Sequence, residues 1–137
     1  MLNTQLSNYT VDQQANQIIT DLANGYLRIY TAPQPASADN PILAQTLLAE
    51  LRFTNPSAPS SVNGVITFTA MAPVNGLATG QAAFYRCLKS DGTTTIMDGS
   101  VGRNNANMVV SNTLIVSGAR VTVTDFTHTV EKAAGGY

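Results

Sequence analysis

Charged side chains are scarce in this sequence. They make up 11% of its 137 residues, and the net charge is -1. Soluble proteins usually carry about 25% charged residues. The seven basic residues are scattered along the chain and form no run, which argues against a nucleic-acid partner. Because a surface with so little charge is poorly protected against association, we expect much of it to be covered by copies of the chain or by a larger assembly.

Cysteine and histidine each occur once. Cys87 lies in a strand pattern and cannot form an internal disulfide, so we expect a buried thiol rather than a nucleophile. A single histidine cannot build a multi-histidine metal site within one copy. We therefore interpret His128, in a threonine-rich strand, as a polar residue on a sheet face, and expect no metal and no other cofactor.

Catalytic patterns are missing as well. Asp91 and Asp98 each precede glycine, as turn residues do, and the spacing of the other acids groups no two of them for glycoside hydrolysis. No serine elbow occurs, and the glycines near residue 80 lack the lysine of a phosphate loop. We expect that the protein is not an enzyme and has no catalytic residues.

The sequence also has no apolar run of about 18 residues. Its beginning lacks a basic stretch followed by an apolar core. We expect neither a membrane span nor a secretory signal, and no membrane partner.

One helix is predicted near the start of the chain. Residues 1–9 are polar and read as an arm. Thr10 and Gln13 match a capping box, apolar residues follow at helical spacing, and Asn24-Gly25 is typical of a left-handed exit. The sequence therefore predicts a leading helix over residues 10–24.

The hairpin in residues 82–97 is the centre of the predicted β region. Asp91-Gly92 joins its two strands in a tight turn, and Asp98-Gly99 is expected to end the second strand. Both faces of the first strand are largely apolar, which predicts a central position with Arg86 near a rim.

The last strand run, residues 119–130, changes its apolar phase near Thr124-Asp125. This indicates a bulge or a strand that passes between two sheets. Residues 131–137 end in Ala-Ala-Gly-Gly-Tyr and read as a flexible tail.

About eight strands are predicted between residues 25 and 130, with no β-α-β alternation. The sequence therefore predicts an all-β fold: an antiparallel β-sandwich, of jelly-roll type with about eight strands, preceded by one helix.

Three segments are candidate contact surfaces: the arm, the tail and the uncharged loop 54–64, which is longer than the usual 4–6 residues. Such segments can become ordered on a partner. The candidate interface residues are Asn3, Leu6, Tyr9, Asn55, Pro56, Pro59, Val62 and Tyr137.

Three stretches resemble a group of small virion proteins of tailed bacteriophages: GYLRIYTAPQPASADNPI, TLLAELRF and ATGQAAFYRCLKSDGTTTIMDGSVG. The pattern of that group is a leading helix, a G-x-L-x-I-Y-T strand, a Q-P-A-S-A-D loop, an L-L-A-x-L strand and a V-M-D-G-S-V-G hairpin. These motifs fall here on residues 25–31, 34–39, 47–51 and 96–102. Ile96-Met97 stands at the apolar pair of the hairpin motif.

The resemblance implies a head decoration, or cement, protein with a jelly-roll fold on the outer surface of the phage head. Its partners would be itself, as a homodimer or homotrimer, and the major capsid protein. It would be made in the cytoplasm of the bacterial host. The alternative is a structural module of a tail tip or fibre that recognises a host glycan through uncharged loops.

Overall fold

The computed structural model describes residues 3–110 and 112–132, with the side chains of residues 124 and 125 left out. This part of the chain is mostly β-structure with one helix, α1 (Asn8–Leu22). Eleven strands follow: β1 (Tyr26–Tyr30), β2 (Leu47–Arg52), β3 (Val65–Thr67), β4 (Val74–Asn75), β5 (Gly80–Gln81), β6 (Phe84–Leu88), β7 (Thr95–Gly102), β8 (Met108–Val110), β9 (Leu114–Ile115), β10 (Arg120–Val121) and β11 (Val123–Thr129). The β-rich class and the leading helix are confirmed, and short additional strands raise the count above the predicted eight.

Helix α1 begins earlier than the sequence predicts. Its N-cap is Ser7, whose hydroxyl oxygen accepts a hydrogen bond from the backbone N–H of Thr10 at 3.2 Å. The prediction of Thr10 as the N-cap is therefore wrong, because Ser7 is an equally good capping residue one turn earlier. The predicted exit is correct: Asn24 has a φ of 59°.

Seven strands form one sheet in the order β2-β1-β6-β7-β8-β11-β3. The remaining four form two ribbons, β4 with β10 and β5 with β9. The large sheet is mixed, because β7 and β8 run parallel and pair Val101 with Met108. A purely antiparallel arrangement is therefore a wrong expectation.

The parallel pair has an unusually short connection, because parallel strands usually need a dozen or more residues between them. Here residues 103–107 suffice. The Asn107 side-chain oxygen accepts hydrogen bonds from the backbone N–H and hydroxyl of Ser100, at 3.0 and 3.1 Å. These contacts hold Asn107 next to β7, so that β8 begins beside β7 and runs in the same direction.

Strand β6 has the predicted central position, with all five of its residues buried and with β1 and β7 on its two sides. However, β7 does not end at Asp98-Gly99 but continues through it to Gly102. Asp98 pairs with Arg86 across the strands. Gly99 lies under the ring of Tyr85, where an added Cβ would collide with ring atoms. Arg86, 5% exposed, is not at a rim.

The main core lies between α1 and one face of the large sheet. Ala15, Ile19 and Leu22 of α1 share a buried cluster with strand residues such as Leu27 and Ile29. Four rings extend this cluster, with centroids 4.6–6.4 Å apart: Phe53, Phe68, Tyr85 and Phe126. Aromatic pairs at these separations stabilise a core beyond the area they bury.

The predicted phase change in the last strand run is confirmed. Arg120 and Val121 pair with β4 in a ribbon, whereas Val123 onward pairs in the large sheet. The register between β11 and β8 shifts between Val123 and Asp125. The run therefore contains both features that the sequence indicates, a bulge and a change of sheet.

Candidate contact surface

The loop 54–64 is fixed along helix α1 by hydrogen bonds. One carboxylate oxygen of Asp12 accepts from the backbone N–H of Gly64 at 2.8 Å and from the hydroxyl of Ser61 at 2.7 Å. The Asn16 side-chain oxygen accepts from the backbone N–H of Ser61. At the other end of the loop, the hydroxyl of Ser57 donates to the Ile19 carbonyl at 2.7 Å. The loop is thus ordered before any partner binds.

The same loop pairs with the start of strand β3. Val62 and Val65 exchange two backbone hydrogen bonds, of 3.1 and 2.9 Å, and Thr69 donates to the Ser57 carbonyl. An uncovered strand edge invites pairing with another chain. The loop occupies the start of this edge, at Val65.

The arm and the end of β11 meet the loop at one place. The Leu6 N–H donates to the Lys132 carbonyl at 2.7 Å, and the Val130 N–H donates to the Gly64 carbonyl at 2.9 Å. Gly64, with a φ of 82°, lies so close to Val11 and Val130 that a side chain there would collide with them. All three segments predicted as contact surfaces therefore converge here, as far as they are described.

We name this region the composite surface: residues 3–9, residues 54–64 and residues 130–132. It displays two large side chains, Tyr9 at 65% exposure and Val62 at 68%. Asn3, Asn55, Pro56 and Pro59 are exposed as well, and Leu6 is half-buried. Tyr137 lies outside the described residues.

A shallow groove of about 370 Å³ runs between α1 and the loop. Its lining includes Asn16, Ile19 and Thr20 from the helix, and Pro56 and Pro59 from the loop. None of these residues carries a charge, so the groove presents amide, hydroxyl and apolar groups only. The sequence indicated the loop residues, but nothing in it indicated that the helix forms the opposite wall.

The loop is anchored by a charged group, the carboxylate of Asp12. Hydrogen bonds from Gly64 and Ser61 to the Asp12 carboxylate hold its pKa below the ordinary value of 3.8, and desolvation is the smallest of the three causes and acts in the opposite direction. Asp12 is therefore ionised at neutral pH, and its charge is used inside the chain rather than offered to a partner.

A second cluster lies on the other face of the large sheet. The guanidinium carbons of Arg28 and Arg52 lie 5.3 and 4.1 Å from the centroid of the Tyr26 ring. Arg28 also forms an ion pair with Glu50 at 2.8 Å. Arg52 donates to the Asn24 carbonyl at the end of α1, at 2.7 Å. The sequence did not point to this cluster, because its members lie on different strands.

The groups weighed as nucleophile or metal ligand have ordinary positions. Cys87 is fully buried, as expected, and burial raises its pKa well above the usual value. His128 is half-buried on β11, and burial lowers its pKa while the nearby Glu131 opposes the shift. Across the described residues, no three His, Cys, Asp or Glu side chains come together as a candidate metal site.

No helix in residues 3–110 and 112–132 has the length and hydrophobicity of a membrane span. No protein-family model, curated protein or solved structure matches the chain with statistical significance.

Proposed function

We propose that this chain is a structural protein of a tailed-bacteriophage particle, which binds the outer surface of the head and stabilises the shell. The observation that carries the proposal is the composite surface. Three segments, far apart in the sequence, are held together by backbone hydrogen bonds and display Tyr9 and Val62 to solvent.

The order of this surface supports tight binding. A segment that must become ordered on its partner loses conformational entropy during binding, which weakens the affinity. The Asp12 anchor and the bond between Leu6 and Lys132 hold the segments in place beforehand. The binding mode is therefore docking of a preformed surface, rather than folding of flexible segments on the shell.

The proposed mechanism is mass action. A protein that binds the assembled shell, and not its separated subunits, stabilises the shell by an amount that grows with its concentration relative to the dissociation constant. The partners are the major capsid protein and other copies of this chain, as a homodimer or homotrimer. The proposal assigns no catalytic residue and no cofactor.

We propose in addition that the fold is a two-layered β-sandwich of jelly-roll type. The two ribbons would form the second layer, facing the large sheet. This is supported by one cavity that Ile29, Val101 and Val110 of the large sheet share with Ile115 and Val121 of the ribbons. An experimental structure in which the ribbons lie away from the large sheet would contradict this arrangement.

A second candidate function is a tail-tip or fibre module that binds a host glycan. It is favoured by Tyr9, because an exposed aromatic ring with a hydroxyl offers both an apolar face and a polar tip to a ligand. This function needs few copies in each particle, whereas a cement protein needs hundreds.

Counting copies separates the two functions. Purified particles would be digested together with isotope-labelled peptides of this chain and of the major capsid protein, and the two would be quantified by mass spectrometry. We expect a number of copies comparable to that of the capsid subunits. A few copies in each particle would contradict the cement function and support the tail module, and absence from particles would contradict both.

A further inference from the structure

A cavity of about 190 Å³ lies between the large sheet and the two ribbons. Its inner walls are buried apolar side chains: Ile29, Ala82, Val101, Val110, Ile115 and Val121. An apolar cavity of about 150 Å³ stays dry and binds benzene, because water needs two to four polar partners that such walls do not supply. This cavity is therefore large enough for an apolar group of about six heavy atoms.

The rim of the cavity differs from its walls. Leu114 and Val116 line it with 43% and 45% of their surface exposed. Asn112, Thr122 and Arg120 line it too, and all three are exposed. The lining of the cavity thus combines aliphatic side chains with polar groups that a ligand can reach.

Arg120 is the charged residue among those lining the cavity. Arginine keeps its charge at any ordinary pH. Unlike Arg28, Arg52 and Arg86, its side chain makes no hydrogen bond or ion pair with any residue in the described ranges. Because the side chain is long and exposed, its guanidinium is within reach of an anion at the rim.

We propose that this cavity binds a small apolar carboxylate. An aliphatic or aromatic body of about six heavy atoms fills the apolar interior, and the carboxylate faces Arg120. The ligand is amphipathic because the site is: apolar walls disfavour a buried charge, whereas an unpaired guanidinium at the rim favours a carboxylate. The site lies between the large sheet and the ribbons and shares no residue with the composite surface.

Isocaproate is a suitable probe, and its neutral amide, isocaproamide, is the matched control with the same body. Both would be titrated into the nitrogen-labelled full-length chain and followed by amide-resolved NMR. We expect shifts at the lining residues, and about fivefold tighter binding of isocaproate than of isocaproamide, as for a charge-assisted contact that is partly screened by water. Added salt should reduce this preference.

The variant Arg120→Gln should remove the preference for the carboxylate and leave the binding of the amide unchanged. Arg103→Gln is the matched control, because Arg103 is also an exposed arginine but does not line the cavity. Both sites are exposed, so both variants should give the wild-type spectrum without ligand.

Four outcomes would overturn the proposal. Equal affinity for isocaproate and isocaproamide would mean that the cavity binds apolar groups without recognising the carboxylate. No binding of either would mean that the cavity is closed to ligands. A preference that survives Arg120→Gln would assign the charge contact to another residue. The signals of the lining residues could also broaden as the protein concentration rises and stay broad when isocaproate is added. This result would mean that a second copy of the chain occupies the site.

Discussion

Arg86 and Asp98 lie opposite each other on β6 and β7 and form a two-pronged ion pair. The Arg86 Nε donates to Oδ1 of Asp98 at 2.7 Å, and its Nη2 donates to Oδ2 at 2.8 Å. Their side chains are only 6% and 4% exposed. In the same row across the sheet, Arg86 pairs with Arg28, and Arg28 with Glu50. Two arginines thus meet in the middle, each with its own carboxylate.

Removing one partner of the buried pair should be costly. We expect Asp98→Ala to lower the free energy of unfolding by about 3–5 kcal/mol, because it leaves a buried guanidinium without its charge partner. Replacing both residues, as Arg86→Met with Asp98→Leu, should recover most of this loss, since no charge then remains buried. Urea unfolding measures both effects.

The pair of Arg28 with Glu50 is the internal control, because its side chains are 24% and 34% exposed. Glu50→Ala should cost at most about 1 kcal/mol, because water screens an exposed pair. If Asp98→Ala cost no more than Glu50→Ala, the buried pair would not have the role assigned to it.

The contact between Gly99 and Tyr85 predicts a steric effect. A Cβ at position 99 would collide with the Tyr85 ring, so we expect Gly99→Ala to destabilise the fold by about 1–3 kcal/mol. The combination of Gly99→Ala with Tyr85→Ala should cost less than the sum of the two single changes, because the truncated side chain leaves room. Strictly additive costs in urea unfolding would contradict this contact.

Asp12 should control the order of the loop 54–64. In Asp12→Ala we expect hydrogen exchange at the Gly64 amide to rise about five- to tenfold, because its acceptor is lost. Asp12→Asn should have a smaller effect, since an amide oxygen can still accept. The matched control is Asp21→Ala, because the Asp21 carboxylate bonds to Gln17 within the helix. Unchanged exchange in Asp12→Ala would mean that the loop is held by other contacts.

The same anchor has a pH dependence. The folded-state pKa of Asp12 lies below its ordinary value of 3.8, so the unfolded chain takes up the proton first as the pH falls. Asp12 therefore contributes its full stabilisation when the pH is above its ordinary pKa, and this contribution is lost as the pH falls below that pKa.

His128 predicts a separate effect at higher pH. Burial lowers the pKa of His128 below its ordinary value of 6.5, so the unfolded chain binds the proton first. Stability should therefore fall as the pH drops from about 8 to about 5, and His128→Gln should flatten this part of the profile. Urea midpoints at a series of pH values measure it. A wild-type profile that is level in this range would contradict the burial of His128.

Much of the fold could be predicted from local patterns in the sequence. The period of two, the Asp91-Gly92 turn and the largely apolar strand at residues 84–88 were enough to place the central hairpin. The phase change near residue 124 indicated a change of sheet, because alternation can only shift where the pairing shifts. The helix start was missed because Ser7 and Thr10 are both good caps, and the choice between them depends on packing.

Long-range pairings were not visible in the sequence. Asp98-Gly99 has the composition of a turn. It is part of a strand because Asp98 pairs with Arg86 and Gly99 packs under the ring of Tyr85. The parallel pair β7/β8 depends on Ser100 and Asn107, a polar pair with no distinctive spacing. For the same reason the sequence indicated the arm and the loop as contact segments but not the Asp12 anchor that fixes the loop along helix α1.

The thermal stability of shells tests the central claim most directly. Expanded shells of the phage that lack this protein would be heated with increasing amounts of the purified chain, and their melting temperature followed by calorimetry. We predict a melting temperature that rises with concentration and saturates, and a much smaller rise with the variant Tyr9→Asp, Val62→Asp, whose changes lie at exposed positions of the composite surface. An unchanged melting temperature at saturating wild-type protein would contradict adhesion to the shell as the function of this molecule.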